Sequence, residues 1–197
     1  LLDDPDVGAL LINQRDVTEA RLAREQLLRE ATHDALTGLL NRAAFTRRLA
    51  EASCRAPEHG RFAILYIDLN AFKPINDTYG HEAGDTVLVA VARAMAASIG
   101  SADVAARLGG DEFAVLLTQV REPADARAAA ARIGAAVNTP VVVAGHIVQP
   151  HVSIGIAVAT GGEAGTEELL RCADAAMYHA KREHLPFREH AGLRVAS

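Results

Sequence analysis

Phe62-Ala63-Ile64-Leu65-Tyr66-Ile67-Asp68 is the stretch on which the fold turns. Its six apolar and aromatic residues run unbroken and are rich in β-formers, the signature of a strand buried on both faces. A carboxylate follows at once, where the backbone leaves the core for solvent. Downstream, Gly84 to Ile99 places Val87, Leu88, Val91, Met95 and Ile99 at helical spacing. Val104 to Leu108 and Phe113 to Leu117 read as two strands, and Gly109-Gly110-Asp111-Glu112 joins them as a hairpin. Pro123 to Val137 is an alanine-rich helix. Val141–Val143 and Ile147–Gln149 flank Ala144-Gly145-His146 as a second hairpin, and Val152 to Val158 alternates as a strand. Glu167 to Arg182 sets Leu169, Leu170, Ala173, Met177 and Ala180 on one helical face. Upstream, Asn41 can cap a helix running to about Cys54 and ended by Ala56-Pro57. Strands interleaved with helices, two of the links being hairpins, predict an α/β domain of the α+β type with a mixed sheet.

Composition bounds what such a domain does. The 197 residues are 50% hydrophobic and 23% charged, enough for one packed domain plus an appendage. No apolar run reaches the roughly 18 residues of a membrane span, and there is no secretory leader. Net charge of −5 argues against a nucleic-acid coat but leaves room for a local phosphate pocket. Cys54 and Cys172 are far apart without CxxC spacing, which argues against a disulfide framework or zinc site and fits a reducing compartment. The reading is a cytoplasmic domain with no direct membrane contact. His81, His184 and His190 form no ligand set.

The N-terminal residues read as the end of something else. Val7 to Ile12 is a strand-like run without a partner, and the start at Leu1-Leu2 suggests a fragment of a longer chain. Asp16 and Glu19 make a capping box, after which Ala20, Ala23, Leu27 and Ala31 form one helical stripe. A short coiled-coil connector with a weak seam is expected, and the compact part begins near Asp34.

Chemistry is suggested by where the acids fall. Asp68 ends the most apolar strand, and Asp111 and Glu112 sit at a glycine hairpin tip. If those strands are neighbours, the carboxylates converge on one sheet edge. Hard oxygen ligands without His or Cys suit Mg²⁺ or Mn²⁺, ions that bridge phosphate oxygens and acidify an attacking hydroxyl. Gly109 and Gly110 would let backbone N–H groups approach a phosphate. The polar stretch Asn70–Asp85 reads as a long functional loop. Within it, Asn76 and Asp85 supply the amide and carboxylate that match the Watson–Crick edge of guanine. Taken singly, each of these residues is equally an ordinary turn or cap.

Together they resemble the GGDEF domain of diguanylate cyclases, from about Asp34 to Lys181. The matching blocks are Asp34-Ala35-Leu36-Thr37-Gly38-Leu39-Leu40-Asn41-Arg42, Asp68-Leu69-Asn70-Ala71-Phe72-Lys73, Asn76-Asp77 and Gly80-His81-Glu82-Ala83-Gly84-Asp85. Arg107-Leu108-Gly109-Gly110-Asp111-Glu112-Phe113 is the signature; Ser153-Ile154-Gly155 and Ala173–Lys181 complete it. The resemblance implies a largely antiparallel sheet wrapped by helices, like the palm of nucleotide cyclases and polymerases, preceded by a helical linker. It divides the chain into 1–33 (end of a PAS-type sensor and signalling helix), 34–185 (catalytic domain) and 186–197 (tail). It also implies an enzyme that condenses two GTP into cyclic di-GMP and two pyrophosphates by metal-assisted phosphoryl transfer at a homodimer interface. Asp68, the Leu69 carbonyl and Asp111 would hold the metal. Asp111 or Glu112 would act as base, and Asn76 and Asp85 would read guanine. Lys73, the backbone at Ala71–Phe72, Gly109, Gly110 and Lys181 would hold the phosphates.

Departures from the family pattern are also legible. Asn70 replaces a common Asp. Leu185 stands where the family has a phosphate-binding Arg, with Arg182 and Arg188 nearby as candidate replacements. The inhibitory RxxD motif reads Gly100-Ser101-Ala102-Asp103, so product inhibition through it is not expected. A GTP-binding module that turns nothing over and steers an adjacent phosphodiesterase domain is the alternative, and a purely structural dimerisation module is a third reading.

Overall fold

The computed structural model describes residues 21–24, 26–160 and 165–190. The strand and capping box expected within residues 1–19 lie outside these. A helix, α1, occupies 21–24 and 26–32. It is followed by α2 (Arg42–His59), β1 (Arg61–Leu69), α3 (Phe72–Tyr79), α4 (His81–Ala97), β2 (Val104–Gly109) and β3 (Glu112–Val120). Then come α5 (Pro123–Val137), β4 (Val141–Val143), β5 (His146–Val148), β6 (Val152–Thr160), α6 (Thr166–Arg182) and β7 (Phe187–Glu189).

The five-stranded sheet has the order β2-β3-β1-β6-β7, so the apolar strand is its centre. β1 runs antiparallel to both neighbours, and only β7 is parallel, to β6. β4 and β5 form a separate two-stranded sheet. Alternate residues of β1 feed two cores. Ala63, Leu65, Ile67 and Leu69 pack with Val87, Leu88, Val91 and Met95 of α4 and Ile133 of α5. Phe62, Ile64 and Tyr66 pack with Phe45 and Leu49 of α2 and Leu169, Ala173 and Met177 of α6. Each large side chain buried this way is worth about 1.5–3 kcal/mol, which explains why the run carries no polar residue before Asp68.

Three expectations change. Residues 70–85 are not one long loop: α3 fills Phe72–Tyr79, and α4 starts at His81 rather than Gly84. Pro74 hides α3 from sequence reading, yet it falls in the first turn, where its missing N–H costs no intrahelical bond. α2 continues past Pro57 to His59. Residues 187–189, read as tail, add the edge strand β7 beside Ile154–Ile156. Asn41 does cap α2: its Oδ1 accepts the Ala44 N–H at 2.9 Å.

One close approach fixes α6 on the sheet. A Cβ at Gly155 of β6 would lie 1.9 Å from the Ala173 carbonyl oxygen and 2.2 Å from the Met177 nitrogen. Only glycine permits this approach, and it sets the height of every α6 side chain over the strand ends.

Candidate active site

Antiparallel pairing brings the acids together. Asp68 lies opposite Glu112 of β3 on one side and Ser153 of β6 on the other. The Leu69 N–H donates to the Asp111 carbonyl at 3.1 Å, tying the hairpin tip to the end of β1. Gly109 and Gly110 have φ of 150° and 50°, a turn that other residues would strain.

Two arginines hold this tip. Arg107 donates from Nε and Nη2 to the Gly110 carbonyl at 2.9 and 2.8 Å. Its Nη1 reaches both carboxylate oxygens of Asp34, at 3.2 and 3.3 Å. Burial pushes the Asp34 carboxyl up, but hydrogen bonds from Thr37 and then Arg107 outweigh it and leave the group below its usual value. Arg42, first in α2, donates to the Leu108 carbonyl at 3.1 Å and to Glu112 Oε2 at 3.5 Å. Asp34 and Arg42 of the entry motif thus converge on the signature hairpin. In sequence alone Arg42 and Arg107 belong to these motifs but have no assigned task.

The setting of Asp68 perturbs its carboxyl. Burial raises its pKa above the ordinary carboxylate value; Lys181 opposes this, while the charges of Asp111 and Asp174 add to it. Lys181 Nζ donates to Asp68 Oδ1 at 2.5 Å. Lys181 is thus the cation that faces this half-buried carboxylate in the structure. The donors are carboxylates plus the Leu69 carbonyl. Among the described residues no three His, Cys, Asp or Glu side chains gather into a complete metal cage. An all-oxygen donor set with one or two carboxylates is the kind that Mg²⁺ takes, with water and substrate phosphates completing its shell.

The expected guanine readers sit on α3 and α4. Gly84 faces Asn76 so closely that a Cβ there would lie 1.9 Å from Asn76 Oδ1 and 3.1 Å from Phe72 Cζ. Asp85 follows Gly84 directly and is exposed, as is Lys73. Asp85 therefore lies inside α4 and is not its cap. The first turn of α3 has no side-chain cap, and Ala71 before it takes a left-handed φ of 55°. Its free N–H groups suit an anion. Asn70 points elsewhere: its Oδ1 accepts from Ser153 Oγ at 3.0 Å.

Both candidate arginines have other neighbours in this structure. The Arg182 guanidinium lies 5.8 Å from the centroid of the Tyr178 ring, and Arg188 pairs with Glu183. Leu185 is exposed and lines a cavity of about 1020 Å³ that opens beside Lys181, between α3, α5 and β7. None of Asp68, Asp111 or Glu112 lines that cavity, so the carboxylate corner and this cavity are neighbours rather than one place. Asp103 is a turn residue: its two oxygens accept the Gly100 and Thr118 N–H groups, both at 3.0 Å.

Carboxylates at the end of a central strand, a glycine hairpin locked beside them and a lysine from the last helix define a domain suited to nucleotide phosphates. Residues 31–185 match the family model described as diguanylate cyclase, GGDEF domain. The chain belongs to this family. It is 44% identical over 165 residues to the bifunctional diguanylate cyclase/cyclic di-GMP phosphodiesterase MucR of Pseudomonas aeruginosa, covering 83% of this chain and 24% of that protein. It is also 44% identical over 182 residues to the diguanylate cyclase TpbB of Pseudomonas aeruginosa, covering 90% and 42%. The chain therefore spans less than half the length of these curated relatives. Among solved structures, the TpbB GGDEF domain superposes with a TM-score of 0.75 at 43% identity, covering 81% of this chain and 94% of that one. The coiled coil and GGDEF domain of DgcB from Caulobacter crescentus, in complex with c-di-GMP, gives 0.84 at 29% identity, covering 96% and 100%.

Proposed function

We propose that this domain condenses two GTP molecules into cyclic di-GMP and two pyrophosphates, each active site holding one GTP and two copies meeting face to face. The observation that carries the reading is the locked corner, where Asp68 stands opposite Glu112 and the Asp111 backbone is bonded to Leu69. Asp68, Asp111 and the Leu69 carbonyl would hold Mg²⁺ or Mn²⁺, which when bound polarises the phosphates and acidifies the ribose 3′-hydroxyl.

The chain's own residues supply the rest. Asn76 donates to guanine O6, and Asp85 accepts from the ring N–H and amino group. Lys73, Lys181 and the first N–H groups of α3 neutralise the triphosphate. Gly109 and Gly110 leave room for its closest approach. Glu112, held on Arg42, and Asp111 are the acids placed to take the 3′-hydroxyl proton as the oxygen attacks the partner nucleotide's α-phosphate. Arg107 keeps the tip rigid, so the acids need not reorganise as charge develops.

A PAS-type sensor ahead of α1 and a cytoplasmic setting complete the proposal; among the described residues no helix is long and apolar enough to cross a membrane. Substituting Lys73→Ala tests the phosphate assignment. The expected result is weaker binding of GTP and ATP alike, with unchanged preference for guanine. A selective loss for GTP would move Lys73 to the base.

A further inference from the structure

We propose that Lys181 is a displaceable internal cation: it neutralises Asp68 until nucleotide arrives, and its transfer to phosphate makes metal binding and triphosphate binding cooperative. The inference rests on the nucleotide and metal reading above.

The geometry separates a fixed acid from a movable base. The Asp68 side chain is 13% exposed, whereas that of Lys181, 2.5 Å away, is 44% exposed. Asp68 is held in two ladders, against Glu112 and Ser153. The α6 backbone packs closely on β6, with the Ala173 carbonyl and Met177 nitrogen over Gly155. Rotation of the four-carbon lysine stem is the simplest way for the ammonium to leave Asp68. Lys181 borders the large cavity beside α3 and α5, which gives the stem room to turn.

Lys181 then competes with a metal for the charge of Asp68. The ammonium holds Oδ1, so a magnesium ion on the other carboxylate oxygen, at about 2.0–2.1 Å, would face a like charge across the same group. Asp111 and the Leu69 carbonyl make a weak site without Asp68. A triphosphate changes both sides of the exchange: it offers oxygens that accept the ammonium, and it adds ligand oxygens for the metal. By linkage, each ligand must tighten the other by the same factor. The expected behaviour is a domain that binds divalent cation poorly until nucleotide is present.

The test uses Mn²⁺ as probe, with free ion measured by electron paramagnetic resonance, on the full chain with and without a non-hydrolysable GTP analogue. Without nucleotide, Lys181→Gln should bind Mn²⁺ about 10-fold more tightly than wild type, and Lys181→Arg should bind like wild type. The analogue should tighten Mn²⁺ binding more in wild type than in Lys181→Gln, by that same factor. Matching circular dichroism and melting curves establish that the variants fold. Equal nucleotide-free Mn²⁺ affinity in wild type and a folded Lys181→Gln would overturn the proposal alone. Undiminished binding after adding Asp68→Asn to Lys181→Gln would overturn the metal reading with it.

Discussion

Gly84→Ala separates the fold from the base-reading site with a single methyl group. In the body of α4, alanine is favoured over glycine by about 1 kcal/mol. The new Cβ, however, would lie 1.9 Å from Asn76 Oδ1 and 2.9 Å from Asn76 Cγ. The whole carboxamide must turn away, since shifting the oxygen alone leaves Cγ too close. Phe72 Cζ at 3.1 Å gives way by a few tenths of an ångström. The helix therefore keeps its stability while Asn76 loses its place against guanine. Leaving a polar edge of the base unpaired costs about 1–3 kcal/mol, or roughly 5- to 150-fold in affinity. Calorimetric titration with a non-hydrolysable GTP analogue and Mg²⁺, paired with the matching ATP analogue, reads the effect. Affinity for the guanine nucleotide should fall toward that for adenine, with a melting midpoint equal to wild type or higher. Retained guanine preference in a folded Gly84→Ala protein would refute both the assignment of Asn76 and the role given to Gly84.

Three further outcomes follow from the same geometry. Gly155→Ala forces α6 off β6; overpacking of about 1–3 kcal/mol should lower the melting midpoint by roughly 3–10 °C, and an unchanged midpoint would deny that the close approach matters. Asp34 has a lowered folded-state pKa, so its stabilising effect is present above its unfolded value of about 3.9 and is lost as pH falls through the folded one. Urea midpoints of wild type and Asp34→Asn should therefore converge on acidification below about pH 4, and a gap independent of pH would exclude the charge as its source. Because Asp103 spends both oxygens on backbone N–H groups and Gly100 offers no guanidinium, added cyclic di-GMP should give no noncompetitive inhibition. Such inhibition, abolished by Asp103→Ala, would contradict this.

Much of the fold was legible because the signals were local. The run Phe62–Ile67 proclaimed a central strand, and Gly109-Gly110 a hairpin; once the two paired, Asp68 and Glu112 had to meet. α3 was hidden because Pro74, Asn76, Asp77 and Gly80 are loop formers when read singly, and only packing on α4 makes eight residues helical. β7 is three residues long and draws its strand character from β6. The Arg42–Leu108, Arg107–Asp34 and Lys181–Asp68 contacts join residues 66 to 113 apart along the chain, which no periodicity encodes. Gly84, read as the first residue of a helix, gave no sign of its close approach to Asn76. Leu185 in place of an arginine was readable, but the engagement of Arg182 and Arg188 elsewhere was not.

The most direct test of the proposed condensation is product formation by a paired domain. The chain, fused to a leucine zipper ahead of α1, would be incubated with GTP and Mg²⁺ and resolved by chromatography with mass detection, beside Asp111→Ala. Cyclic di-GMP and pyrophosphate are expected from the wild type and neither from the variant. A zipper-paired wild type that binds GTP yet forms no cyclic di-GMP would contradict the proposal.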